Sequence, residues 1–375
     1  MANHRVLFIS APIGAGHIKA AQAVSRMMEV SLPDTKTELC NIFDFFSPAI
    51  GQTILNTYLK ILDVLPQAYG TLYSWGNQSR LALWGRELIS QFLARYMLDY
   101  IEKFQPSVIV CTHATPAGLV AWLKKRQLLT IPAVAVITDF VVHRLWVYSE
   151  LDHYFVAHTG MAEYLEQYGI SPQNISITGI PVSHSFNQSW DRRQLLNKLE
   201  LAGDRKNVLI MGGGAGILPM EEIFTLCAQI DIPLQLMAVT GKNQHLYRKL
   251  NCLKQTMPHP VKVFGYVDNI YELMAAADLL ISKPGGMSVS EALALGVPLI
   301  IYRPIPGQEE ANTNYLLNSG AALRADSVGE LKFILTRLLL PDSNELSIMR
   351  RQALTIGHPT ACKDITGIIA NRYFS

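Results

Sequence analysis

An α/β protein of two doubly wound domains is the fold class the sequence predicts, on three observations. Short β-branched or leucine-rich runs recur along the chain, each followed by a longer stretch of helical character. The runs are continuously apolar rather than alternating, the pattern of parallel strands covered on both faces. The series occurs twice in 375 residues, a length that favours two domains over one.

In the first half, strands are expected near Val6–Ser10, Thr37–Ile42, Ser107–Cys111, Ala133–Thr138, His153–Ala157 and Ile175–Thr178. In the second half they are expected near Asn207–Met211, Leu234–Val239, Val261–Phe264, Leu279–Ser282, Leu299–Tyr302 and Ala322–Arg324. The polar stretch "SHSFNQSWDRRQ", Ser183–Gln194, reads as the seam. This places an N-terminal domain at 1–185 and a C-terminal domain at 195–355. The tail at 356–375 carries a last helix, about Thr360–Ser375, expected to pack back on the N-terminal domain. One region breaks the rhythm. Between Phe43 and Phe104 no strand is expected, only a helical insert with Trp75 and Trp84 among Lys60, Arg80, Arg86 and Arg95. Aromatic residues with basic neighbours suit a helix lying in a membrane interface, and equally suit ordinary core helices.

Composition narrows the partners. Lys and Arg number 32 against 30 Asp and Glu, a net charge of +2, which lacks the basic excess of a nucleic-acid binder. Such a balance is compatible with an anionic membrane surface. The five cysteines are scattered, odd in number and without C-x-x-C spacing, which fits a reducing compartment and neither a disulfide framework nor a zinc site. No stretch approaches the roughly 18 apolar residues that a spanning helix needs. The N-terminus "MANHRVLFIS" lacks the shape of a signal peptide. The expected location is cytosolic, with any membrane contact made from the surface.

Three glycine loops directly follow expected strands: "SAPIGAGHIKAA", "MGGGAGILP" and "KPGGMSVSEA". In an open parallel sheet ligands bind beyond the carboxyl ends of the strands, and glycine lets backbone N–H groups approach a phosphate at a helix start. The dinucleotide fingerprint fails, since Lys19 and Ile217 stand where its third small residue belongs, and there is no Walker A motif. In the third loop, Gly285 and Gly286 permit close approach, and Ser288 and Ser290 sit near an expected helix start. Glu291 is placed in the first helical turn, either as a capping-box carboxylate or as an acceptor for the vicinal hydroxyls of a ribose. Gln308 and Glu309 follow the next strand and are suited to sugar hydroxyls. A phosphate cradle beside two sets of hydroxyl acceptors describes a nucleotide sugar.

The stretch "KPGGMSVSEALALGVPLIIYRPIPGQEEAN" resembles the donor-site signature of the diacylglycerol glycosyltransferases, which include bacterial processive diacylglycerol glucosyltransferases and plant monogalactosyldiacylglycerol synthases. It is more distantly similar to the peptidoglycan GlcNAc transferase. "APIGAGHIKAAQA" and "VITDFVVHRLW" resemble first-domain motifs of the same family. The resemblance implies a GT-B fold, two Rossmann-like domains facing across a cleft, and inverting transfer of a hexose from a UDP-sugar to diacylglycerol. Glucose is expected over galactose. It implies no metal and no resident cofactor, with the UDP-sugar as co-substrate, at the cytoplasmic face of a membrane, anionic in character.

Carried over by position, the donor side comprises Gly213, Gly214, Lys283, Pro284, Gly285, Gly286 and Ser288 around the diphosphate, with Glu291 at the ribose. Gln308 and Glu309 lie toward the hexose, Phe264, Gly265, Tyr266 and Val267 toward the uracil, and Asn312 also belongs to the donor side. On the acceptor side stand Gly16, His143 and Trp146, with His17 and Asp139 as candidate bases. A group titrating near neutrality suits removal of the acceptor's hydroxyl proton. A capping or buried structural role for His17, and a core role for Trp146, remain open from sequence alone. His113, in "CTHATPAG", also follows a strand. Other readings are a UDP-sugar transferase with another lipid or small acceptor, a nucleotide-sugar epimerase of the same fold, and a sugar-nucleotide sensor.

Overall fold

A computed structural model describes residues 4–11, 15–45, 95–213 and 218–374. The chain divides into two units, Met1–Ser183 with Thr360–Ser375, and His184–Pro359.

The first unit runs β1 (His4–Ser10), α1 (Ala15–Ser31), β2 (Thr35–Asn41), β3 (Val108–Cys111), α2 (Ala114–Lys125), β4 (Ala133–Val136), β5 (His153–Val156), α3 (Thr159–Gln167) and β6 (Ile175–Ile177). Its sheet is parallel throughout, in the order β2-β1-β3-β4-β5-β6. The second unit runs α4 (Arg192–Lys198), β7 (Lys206–Met211), α5 (Met220–Cys227), β8 (Leu234–Val239), α6 (Gln244–Leu253), β9 (Val261–Phe264), α7 (Ile270–Ala276), β10 (Leu279–Ser282), α8 (Gly286–Ala294), β11 (Leu299–Tyr302), α9 (Gln308–Ser319), β12 (Ala322–Ala325), α10 (Val328–Leu339) and α11 (Glu345–Ile356). This sheet is also parallel, ordered β12-β11-β10-β7-β8-β9. The final helix is α12 (Ala361–Tyr373).

Each expected strand is present. The ends differ where burial and pairing part company. β2 is an edge strand with half-exposed side chains and begins at Thr35, before its apolar run. β4 stops at Val136, so Thr138 and Asp139 lie beyond the sheet.

In the first unit Val6, Phe8, Val108, Val110, Val134, Val136 and Phe155 project from the sheet onto Ala21, Val24 and Met28 of α1. Cys362, Ile365 and Ile369 of α12 complete the same core, and the His4 and Phe374 rings stack at 4.4 Å. The last helix is thus part of the first unit, although its sequence follows the second. The seam lies at the start of the polar stretch and not within it. Phe186 is buried and Trp190 stacks on Tyr271 at 5.1 Å, which binds that stretch to the second unit. Of the aromatic insert, residues 46–94 lie outside the described residues. Residues 95–104 are helical and bury Met97, Ile101 and Phe104, as a core helix does.

α11 packs closely on α8 at Gly357. A Cβ added there would stand 2.4 Å from the Leu293 carbonyl oxygen and 2.8 Å from its carbon, both backbone atoms. Gly357→Ala should therefore destabilise the chain by about 1–3 kcal/mol through overpacking. The check is the denaturant midpoint at constant m-value, and an unchanged midpoint would rule out so close an approach of the two helices.

Candidate active site

Each sheet reverses its strand order once, in the first between β1 and β3 and in the second between β7 and β10. At a reversal the connections leave in opposite directions and open a crevice beyond the carboxyl ends of the strands. Most of the site residues named from sequence follow a strand at one of these reversals or beside it.

In the first unit, β1 delivers α1, whose first residues include Gly16 and His17. β3 delivers Thr112 and His113, the latter as N-cap of α2, where its Nδ1 accepts from the Thr115 N–H at 3.1 Å. The neighbouring β4 delivers Thr138 and Asp139. His17 Nδ1 lies 2.9 Å from the Thr112 carbonyl oxygen and 2.6 Å from Thr138 Oγ1. A carbonyl can only accept, so Nδ1 carries the hydrogen. In the neutral imidazole Nε2 then holds the lone pair, as a general base requires. The sequence offered no carboxylate within the His17 loop to orient this ring. The orientation comes instead from Thr112 and Thr138, which follow two other strands and which the sequence reading missed. Thr138 carried a signal, since it directly precedes Asp139.

Burial lowers the pKa of His17, while the charge of Asp139 and the Thr112 carbonyl oppose that shift. The His17 and His113 rings meet edge-on at 4.7 Å. Burial and the neighbouring His17 push His113 well below the ordinary histidine range, and the same two causes push His143 down to about 4. Of these clustered imidazoles, His17 is the one with an opposing charge that favours protonation. Trp146 is a core aromatic, 1% exposed, and offers no ring face to a ligand. Its backbone carbonyl accepts from Tyr154 Oη at 2.9 Å, and its ring stands behind His143 at 6.3 Å. The open core reading is the one the structure supports.

In the second unit, Ser282 Oγ donates to the Met211 carbonyl at 3.0 Å and ties together the ends of the two reversal strands. Beyond them lie Gly213, in a left-handed turn at φ +70°, and the Lys283–Pro284–Gly285 loop. Gly214 lies outside the described residues. α8 begins at Gly286 with exposed Gly285 as its cap, so its free N–H groups lie at the reversal, as anion binding requires. Gly285 has no atom within 4 Å of where a Cβ would be, so a ligand has room to approach. Because the helix starts this early, Glu291 lies in the second turn, not the first, and a capping box is excluded. Glu291 is buried at 5% exposure. Ser288 is partly exposed, whereas the Ser290 hydroxyl bonds back to the Gly286 carbonyl at 2.8 Å.

Asn312 Nδ2 donates to the Pro284 carbonyl at 3.0 Å and so braces the loop from α9. Gln308 and Glu309 open that helix behind Gly307, whose φ of +108° calls for glycine, and Glu309 accepts from the Ile305 N–H at 2.8 Å. The Lys283 ammonium donates to the Arg303 carbonyl. Burial lowers its pKa, while Glu309 opposes that. Arg303 itself is left-handed at φ +48° and pairs with Glu222 at 3.0 Å. At the end of β9, the Phe264 carbonyl accepts from Thr240 N and Oγ1 at 2.9 and 3.1 Å. Gly265 and Val267 are partly exposed, and Tyr266 offers an exposed ring with the Lys242 ammonium 6.0 Å above it. Thr240, Lys242 and Arg303 joined the site only through the fold.

Two doubly wound parallel units with such loops define the GT-B class of fold. Solved structures of that form align over nearly the whole chain. Acinetobacter baumannii MurG does so with TM-score 0.66 at 16% identity, covering 98% of this chain and 99% of its own. A UDP-GlcNAc 2-epimerase from Neisseria meningitidis, bound to UDP-GlcNAc, does so with TM-score 0.61 at 16% identity, covering 98% and 100%. The family model of monogalactosyldiacylglycerol synthase matches residues 17–182, and that of the glycosyltransferase family 28 C-terminal domain matches 207–331. The processive diacylglycerol beta-glucosyltransferase of Bacillus thuringiensis is 32% identical over 98% of this chain and 93% of its own. That of Bacillus subtilis is 32% identical over 93% and 90%. The chain belongs to the processive diacylglycerol beta-glucosyltransferase family.

If neutral His17 is the base, the turnover rate should fall on the acid side with a midpoint below 6.5, because burial has lowered its pKa. In Asp139→Asn the midpoint of any residual activity should move further down, since the charge that favours the imidazolium is gone. A pH–rate profile measures both. An unmoved or rising midpoint would remove Asp139 as the electrostatic neighbour of His17.

Proposed function

We propose that this chain is a UDP-glucose-dependent glucosyltransferase that builds β-glucosyl diacylglycerol. Membership of the diacylglycerol glucosyltransferase family across nearly the whole chain carries the reading, and the two reversal-point sites supply its chemistry. His17 Nε2 accepts the proton of the diacylglycerol hydroxyl. The freed oxygen attacks the anomeric carbon from the side opposite UDP, forming the new C–O bond with inversion. The bond to the β-phosphate oxygen breaks, and its electron pair leaves with UDP. Charge developing on that oxygen is met by the N–H groups at the start of α8 and by the loop from Lys283 to Gly286. Glu291 takes the ribose hydroxyls, Gln308 and Glu309 the hexose, and the Phe264–Val267 segment the uracil. On the acceptor side Gly16 permits close approach, with His143 beside it.

The reaction in this proposal uses no metal. Among the described residues no three His, Cys, Asp or Glu side chains are grouped to hold an ion, and helix and backbone dipoles take the role a cation otherwise has. UDP release should survive exhaustive treatment with EDTA, and restoration of a lost rate by Mg²⁺ would overturn this part.

The proposed place of action is the cytoplasmic face of a membrane, on an anionic surface. Among the described residues no helix is long and apolar enough to cross a bilayer. The modest positive charge and the lipid acceptor support contact from the surface.

The test is UDP release from UDP-glucose and UDP-galactose, with and without diacylglycerol in liposomes, with the lipid products resolved by chromatography. Release from UDP-glucose that depends on diacylglycerol, with a matching glycolipid, is expected. Conversion of the donor without acceptor would favour an epimerase. Two substitutions separate the roles. His17→Ala should lower turnover on the order of 10²- to 10⁴-fold and leave UDP affinity largely intact. Glu291→Ala should weaken UDP binding by about ten- to a hundredfold through loss of hydrogen bonds to a charged group. Equal loss of UDP affinity in both would show that the two roles are wrongly divided.

A further inference from the structure

The second unit carries a cavity of about 370 Å³ far from its reversal-point loops. Its walls include Asn187, Trp190, Arg192, Leu295 and Arg350. Leu295 caps the carboxyl end of α8, and Ala275, also on the wall, lies near the end of α7. Both helices run back to the amino ends of the strands, so the cavity lies at the opposite end of the sheet from Gly213 and Gly285.

Its charge is unbalanced. Arg192 Nη2 pairs with Asp278 Oδ2 at 2.8 Å, and the same oxygen already accepts from the Asn207 N–H at 2.8 Å. Arg350 is half-buried, and its one hydrogen bond among the described residues is a long one, 3.4 Å from Nη2 to the Ala277 carbonyl. Burial lowers the pKa of Arg350, Asp278 opposes that, and Arg192 adds to it as a like charge. Arg192 therefore already occupies the one carboxylate nearby, and among the described residues most donors of Arg350 are unused. Half-buried donors in a cavity are normally satisfied, by water or by a ligand. A guanidinium presents a fork of N–H groups that matches the oxygens of a phosphate. The volume falls in the lower part of the range for small-molecule sites.

We propose that this cavity is a second anion site, which takes a phosphate ester of small size through Arg350 and Arg192, with Asn187 and neighbouring polar residues around the ester's body. It does not depend on the transferase reading, since no residue of the cavity belongs to the donor or acceptor machinery. The phosphate can come from a free metabolite or from a lipid headgroup.

The full chain, with UDP present to fill the donor site, is titrated by calorimetry with inorganic phosphate and glycerol 3-phosphate. In a second arm it is floated with phosphatidylcholine vesicles with and without phosphatidic acid. Saturable binding in the first arm identifies a free ester as the ligand. Binding confined to the phosphatidic acid vesicles identifies a headgroup. In either case Arg350→Ala should abolish the interaction and Arg350→Lys should weaken it about tenfold, because the fork is lost while the charge is kept. Asp278→Asn should tighten it severalfold by removing the competing carboxylate, an effect that general damage to the fold does not produce. Equal binding by native protein and Arg350→Ala, or no Arg350-dependent binding in either arm, overturns the proposal.

Discussion

A parallel strand cannot return to its neighbour by a tight turn, and the site depends on that constraint. Every strand in both sheets is parallel to its partners, so every connection is a crossover of a dozen or more residues. Where the crossovers change direction, two strand ends lie side by side with no helix over the gap. Two side-by-side carboxyl ends bring residues distant in sequence within bonding distance: His17 and Thr112 in one unit, Ser282 and Met211 in the other. The hydrogen bond between His17 and the Thr112 carbonyl spans 95 positions of chain. Register makes it possible, since Ile9 stands opposite Cys111 and the two loops leave the sheet together.

The two ends so created differ in kind. At the reversal of the first sheet the candidate groups are titratable side chains, clustered and largely buried. Burial lowers the pKa of His17, His113 and His143 alike. Only at His17 is that shift opposed, by the charge of Asp139 and by the Thr112 carbonyl. At the reversal of the second sheet the main groups are backbone N–H donors, glycines and the start of α8, with Lys283 turned onto the Arg303 carbonyl. Backbone donors are fixed before a ligand arrives and need no reorganisation as charge develops. Titrating side chains and fixed backbone dipoles thus gather at the ends of separate sheets.

The strands were legible because they are buried on both faces. Val208, Leu209 and Ile210 have no exposed surface, and neither do Leu279, Leu280 and Ile281, so composition alone marks them. The start of α8 was read too late because Ser288, Ser290 and Glu291 look like a cap, yet the backbone had already turned helical at Gly286. Glycine at a cap carries no side-chain signal. Trp146 was ambiguous for a different reason: an aromatic residue near a motif reads alike whether it faces a ligand or the core. In the fold it is buried, and Tyr154 ties down its segment through bonds to the Trp146 and Tyr148 carbonyls. Thr112 and Arg303 lay beyond sequence reading because their roles depend on a neighbour from a different strand, whereas Thr138 was marked only by standing next to Asp139.

The place of α12 follows from the same economy of surfaces. A parallel sheet needs helices on both faces, and on one face of the first sheet α12 packs beside α1. Cys362, Ile365 and Ile369 complete the core there, with Cys362 Sγ donating to the Val182 carbonyl at 2.9 Å. Val182 lies at the exit from the first unit and Cys362 at the re-entry, so this contact closes the chain's excursion through the second unit. The two units are therefore linked by two chain crossings instead of one, at Ser183–His184 and Pro359–Thr360. Phe186 and Trp190 then fix the start of the second unit to α7 through Tyr271.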